Sequence, residues 1–127
     1  MDEIVDCDNW YYDETGYHIH KETNELTNEL TGIENWFKER NLDKADPSHQ
    51  MIKATEELGE LAEAHNKGWD DKAKDSLGDL VVALDGYALQ RGWHLADCIK
   101  DAHNEIRNRK GKVINGVFVK QSDLDKE

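Results

Sequence analysis

Residues 46–68 read DPSHQMIKATEELGELAEAHNKG, and both ends of this stretch are marked. Asp46 is a hydrogen-bond acceptor suited to a helix N-cap, and Pro47 suits the first helical position. Gly68 suits the left-handed residue just past a helix C-terminus. One helix is therefore predicted from Pro47 to about Lys67. Met51, Ala54, Leu58, Leu61 and Ala62 share one side of it, opposite Glu56, which is an amphipathic pattern. Its acids are unusual. Glu56, Glu57, Glu60 and Glu63 crowd together, and no Lys or Arg lies between residues 54 and 66. Each like-charge pair at i,i+3 or i,i+4 costs about 0.2–0.5 kcal/mol. A solvated face is the simplest expectation for any one of these glutamates. Solvated faces usually alternate sign, and this one does not.

Working outward, Thr31-Gly32-Ile33-Glu34 fits a capping box and predicts a short helix through IENWFKER, with Ile33, Trp36 and Phe37 on one face. A third helix is predicted from near Asp71 to a stop before Gly92, and a fourth from about Leu95 to Lys110, ended by Gly111. In KVINGVFVK, Asn115-Gly116 separates two apolar runs, a strong hairpin signal. The expected fold is all-α, a four-helix bundle with a short C-terminal β-hairpin. Residues 1–30 mix acids with Trp10, Tyr11, Tyr12 and Tyr17 and show no sustained period. They are read as an acidic, loosely structured or partner-dependent extension, and 31–127 as the helical domain. TNEL occurs in tandem at 23–26 and 27–30, too short a unit for a repeat architecture.

The chain has 127 residues, enough for one domain with a single core. Its net charge of −12 disfavours nucleic acid and anionic membranes as partners. No apolar run is long enough to span a bilayer and no signal-peptide pattern opens the chain. Cys7 and Cys98 form no CxxC, which fits a reduced, cytoplasmic protein.

The third predicted helix decides how the acids of 46–68 are read. Leu77, Leu80, Val81, Val82, Ala83, Leu84, Tyr87, Ala88 and Leu89 occupy nearly its whole circumference, so it is expected to be buried. Asp79 and Asp85 sit inside that run, and Asp75 lies one turn before Asp79. A buried carboxylate needs a partner, because desolvating a lone charge is expensive. For Asp85 the expectation is an ion pair with a Lys or Arg from another helix. For Asp79 it is a metal cation, because a short connection makes the acid-rich helix its antiparallel neighbour. Glu57, Glu60, Asp75 and Asp79 then converge. Oxygen ligands without histidine suit Mg²⁺ or Mn²⁺, and Mg²⁺ usually completes its shell with water and substrate phosphates. Further on, HNEIRNRKGK gathers Arg107, Arg109, Lys110 and Lys112 in an otherwise acidic chain. Cations near a helix C-terminus are favoured by the macrodipole, by about 0.3–1 kcal/mol each. They also suit a phosphate clamp, with Asn104 able to hydrogen-bond a base or sugar.

Over roughly residues 31–120 the chain resembles the MazG-like family of all-α nucleoside triphosphate pyrophosphohydrolases, whose signature is EExxE followed by ExxD. Glu56-Glu57-Leu58-Gly59-Glu60 matches the first half, and Ser76-Leu77-Gly78-Asp79 stands where the second belongs. NEIRNRKGKVINGVFVK is similar to the end of short, phage-type members. The resemblance implies Mg²⁺-dependent hydrolysis of a nucleoside triphosphate to the monophosphate and pyrophosphate. It implies Glu57, Glu60 and Asp79 as metal ligands, and Glu56 as a group that supports those ligands or as the base. It also implies a homodimer or homotetramer, with Trp36 near the base unless it is a core tryptophan. Lys53, one turn before Glu57, either reaches a phosphate or pairs with that glutamate. The chain departs from the signature at Ser76, where the family has glutamate. Asp75 is adjacent but points about 100° away on the helix.

Other motifs carry less. His18-x-His20 stands alone, and His65, His94 and His103 lack ligand spacing. HExxH, a P-loop and GxGxxG are absent. Trp69 and Trp93 flank helix ends as core or cap residues. Two further functions compete with the hydrolase. One is a catalytically inactive regulator that binds a nucleotide or alarmone, which Ser76 motivates. The other is an acidic helical adaptor for a basic partner.

Overall fold

A computed structural model describes residues 3–4, 7–12, 18–20 and 25–126, with side chains from Glu25 onward. The chain divides into two compact units, 1–95 and 96–127. The first begins with strands β1 (Glu3–Ile4), β2 (Cys7–Tyr12) and β3 (His18–His20), paired antiparallel in that order. Trp10 stands opposite His20, and Tyr12 opposite His18. The segment expected to be loosely structured thus carries strands. The side chains of Cys7, His18 and His20 lie outside the described residues.

Helix α1 spans Glu25–Glu39 and starts seven residues before Gly32, the first helical residue that a cap at Thr31 predicts. Thr31 is inside the helix. The reason is a stripe that starts upstream: Leu26, Leu30, Ile33 and Phe37 recur at i, i+4, i+7 and i+11. Leu30 and Phe37 are buried, and burial of that face outweighs a local cap.

Helix α2 spans Pro47–Lys67 and begins as its sequence predicts: the Asp46 carboxylate accepts from the Ser48 N–H at 2.9 Å. At its end Gly68 takes φ 71°. The Trp69 N–H donates to the Ala64 carbonyl and the Gly68 N–H to that of His65, a Schellman close. Helix α3, Asp70–Gln90, follows after two residues and packs back along α2. It closes in the same way at Gly92, with Trp93 bonded to Ala88. Asn41 does so after α1, at φ 57°, with Leu42 bonded to Phe37.

Three packing expectations are corrected. The α2 face that turns inward carries Ala54, Glu57 and Ala64, while Met51, Leu58 and Ala62 are exposed. The inner side of α3 carries Ser76, Ala83, Asp85, Gly86 and Ala88, while Leu77, Val82 and Leu84 are exposed. Small residues therefore line the interior, which lets the helix backbones approach closely. Of the large aliphatic groups expected to be buried all round α3, Leu77, Val82 and Leu84 are exposed, and Leu80, Val81 and Leu89 are half-buried. Among the described residues, Asp85 has no ion-pair partner. It is 1% exposed, and its neighbour is the carboxyl of Glu34 from α1. Burial first, and then Glu34, push Asp85 up to about 7.

Phe37 fixes α1 on α3 by lying against Gly86, where any added methyl would overlap its ring. Gly86→Ala is expected to destabilise the protein by about 1–3 kcal/mol, the usual cost of overpacking. Thermal unfolding of the variant checks this; an unchanged midpoint would contradict it.

The second unit holds α4 (Leu95–Arg107, whose first residue falls in the first unit), β4 (Gly111–Ile114), β5 (Val117–Lys120) and α5 (Gln121–Leu124). Helix α4 ends three residues before the predicted Lys110. The hairpin is as predicted: Val113 pairs with Phe118, and Asn115 and Gly116 have φ 51° and 78°, the signature of a type I′ turn. The chain is thus mostly helical, with α1, α2 and α3 in one unit and α4 grouped with the hairpin in the other.

Candidate active-site cleft

On the first unit, a cleft of about 570 Å³ is lined by residues of α1, α2 and α3. Its polar wall is a ladder on α2: His49, Lys53 and Glu57 recur every four residues and Glu56 follows Lys53 by three, so the helical period groups them on one side. Helix α3 faces them with Asp79, Val82 and Ala83, and α1 contributes Trp36 and Phe37. Five sequence-predicted residues are therefore brought together: Trp36, Lys53, Glu56, Glu57 and Asp79.

Glu57 is the distinctive group. It is 4% exposed, in the inward stripe of α2. Its Oε1 meets the Lys53 ammonium at 3.2 Å, and its Oε2 is buried with no hydrogen-bond partner. That bond, then the charges of Glu57, Glu56 and Glu60, hold Lys53 above the usual lysine range. Asp79 is pushed above the ordinary carboxylate range by desolvation, then by Asp75 and Glu57, with Lys53 pulling the other way. The field at Asp79 is thus a crowd of carboxylates with one cation among them.

Glu60 and Asp75 are exposed, each one turn from a cleft residue, and neither lines the cleft. Glu63 is solvated, as a wet face predicts, and pairs with Lys67 at 3.3 Å. Ser76 is 2% exposed on the inner side of α3 and is not among the cleft-lining residues. Among the described residues, no three of His, Cys, Asp or Glu come together as a ready cage for a metal ion.

Trp36 is 47% exposed, so it is not a core tryptophan. Its ring carries the Arg40 guanidinium at 4.2 Å and meets Phe37 edge-on. It also borders a second cavity of about 370 Å³ with Glu29, Gly32, Ile33 and Val82. Asn104, Arg107, Arg109 and Lys110 belong to the second unit, where Arg109 pairs with Glu105 at 2.7 Å.

Sequence reasoning missed His49, Gln50 and Ile52 on the cleft wall. The i,i+4 relation of His49 to Lys53 was a usable signal. It also missed the Glu34–Asp85 pair, for which nothing local in sequence is diagnostic.

No family model matches the chain, and no solved structure matches it. Over 56 residues it is 41% identical to the "Uncharacterized 18.2 kDa protein in rep-hol intergenic region" of Haemophilus phage HP1 (strain HP1c1), an alignment covering 43% of this chain. The matched stretch spans 34% of that relative's length.

Proposed function

We propose that this protein is a Mg²⁺-dependent nucleoside triphosphate pyrophosphohydrolase of the MazG-like type, with a helical bundle as its catalytic body. One observation carries the proposal: a single cleft collects an exposed indole, a lysine and three carboxylates, one of them buried with an orphaned oxygen. That combination suits a ligand with an aromatic end and a polyanionic end that brings its own cation.

The residues fit a metal held jointly with substrate. Mg²⁺ commonly takes one or two carboxylates and completes its octahedron with water and phosphate. Glu57 and Asp79 would supply the carboxylates, and Glu60 and Asp75, each one turn from a cleft residue, stay candidate ligands on their sequence pattern. When bound, the ion would polarise a phosphoryl oxygen and favour ionisation of an attacking water. Glu56 accepts the proton of that water. The water oxygen bonds to the α-phosphorus, the bridging bond to the β-phosphate breaks, and pyrophosphate leaves. Lys53 neutralises phosphate charge, and the Trp36 face packs against the base. Asn104, Arg107, Arg109 and Lys110 stay candidate base and phosphate contacts on their sequence pattern alone. Outward-facing Leu58, Leu77 and Leu84 support a second copy of the chain as partner, in a homodimer or homotetramer.

With Mg²⁺ and a panel of nucleoside and deoxynucleoside triphosphates, the protein is expected to release pyrophosphate. Mg²⁺ plus a non-hydrolysable analogue at about 100 times its Kd is expected to stabilise the fold by about 2.7 kcal/mol. Release from no nucleotide at high protein concentration would sink the proposal as an enzyme. The burial of Ser76 favours a second reading, a regulator that binds a nucleotide or alarmone without turnover. Calorimetry showing tight binding without pyrophosphate would select it.

A further inference from the structure

We propose that Lys53 is a built-in counter-ion that makes divalent-metal binding conditional on a triphosphate; this rests on reading the cleft as a triphosphate site. The Lys53 ammonium lies 3.2 Å from Glu57 Oε1, while Oε2 of the same carboxylate is buried and unpartnered. Lys53 is the sole lysine or arginine among the described residues lining the cleft. Its side chain is 56% exposed, so it can swing away without disturbing packing.

Two facts keep a metal from simply displacing it. No three acids converge as a ready cage among the described residues. Ser76, where the signature has a further carboxylate, is buried and brings none. A divalent ion arriving alone must therefore compete with an ammonium already in contact with Glu57. A triphosphate changes the balance in one event. Its oxygens offer Lys53 a better anionic partner, and Glu57 Oε1 is released for the cation that the phosphates carry in. Coupling of this kind is reciprocal: the metal must tighten phosphate binding by the factor that phosphate tightens the metal.

The test uses the full chain, Lys53→Gln and Lys53→Arg, with circular dichroism confirming the helix content of each. Mn²⁺ alone is titrated and followed by the paramagnetic resonance of the free ion. An α,β-methylene triphosphate is titrated by calorimetry, once with EDTA and once with Mn²⁺. Lys53→Gln is expected to bind Mn²⁺ alone about thirtyfold tighter than wild type, the factor for a divalent ion and one unit charge about 4 Å apart in water. The same variant is expected to bind the analogue more weakly in EDTA, and Lys53→Arg to behave like wild type in both titrations. A lysine that only supports the fold would weaken both ligands together, so opposite signs are the diagnostic result. Mn²⁺ binding that is unchanged, weaker or undetectable in Lys53→Gln overturns the proposal. An analogue that binds neither wild type nor variant removes the triphosphate reading. The Mn²⁺-alone comparison then decides separately whether Lys53 guards Glu57.

Discussion

Glu57→Gln is expected to lower pyrophosphate release on the order of 10²–10³-fold, the loss typical of removing one preorganised group that stabilises developing charge. The substitution keeps the size and shape of the side chain, so packing against α3 survives. What changes is charge. The buried oxygen that lacks a partner becomes part of a neutral amide, and the ionic contact with Lys53 at 3.2 Å is lost. Steady-state release of pyrophosphate measures the effect, and far-UV circular dichroism controls for folding. The Mg²⁺-plus-analogue gain in melting temperature should shrink in parallel, because a ligand stabilises only what it binds. Activity within about threefold of wild type, a difference of well under 1 kcal/mol in the barrier, would remove Glu57 from the chemistry. Glu63→Gln is the matched control, since Glu63 is solvated and paired with Lys67.

The second large effect concerns stability rather than catalysis. Asp85 is held at about 7 by burial and by Glu34, against an ordinary value of 3.8. Between those values the folded chain keeps a proton that the unfolded chain has released. The unfolded state then binds fewer protons, so stability falls as pH rises. The contribution is fully present below about pH 4 and is lost as pH climbs through about 7. Other carboxylates add their own slopes, so a difference measurement is needed. Asp85→Asn keeps the volume and fixes the neutral form. Denaturant unfolding at pH 5 and pH 8 should show the variant gaining on wild type by about 1–3 kcal/mol at the higher pH, the cost of an unpaired buried polar group. An equal gap at both pH values would show that Asp85 does not carry the proton.

Local chemistry made much of the fold legible. The α2 boundaries follow from Asp46, Pro47 and Gly68, each of which suits its cap for a reason contained in the residue itself. Asn115-Gly116 specified the hairpin because few other pairs accept two positive φ angles. The start of α1 was misread where a local cap signal at Thr31 competed with a longer apolar stripe, and burial of the stripe decided. The cleft was half legible. Lys53, Glu56, Glu57 and Asp79 came from motif and spacing, and Trp36 from its resemblance.

What the sequence determined by itself was where the chain can be helical, where it must turn, and which chemical groups are present. The partner each charge meets was decided by tertiary structure. Hydrophobicity placed Leu58 and Leu77 inside, yet small residues take the interface between α2 and α3 because they allow close backbone approach. That choice rotates α2 so that Glu57 turns inward and Glu60 outward, two residues that the motif treats alike. It also sets Asp85 against Glu34 across 51 positions of sequence, where the sequence predicts a lysine or arginine. Helical periodicity fixes angles around one axis. The rotation of one helix against the next comes from packing summed over both surfaces, and no single segment contains it.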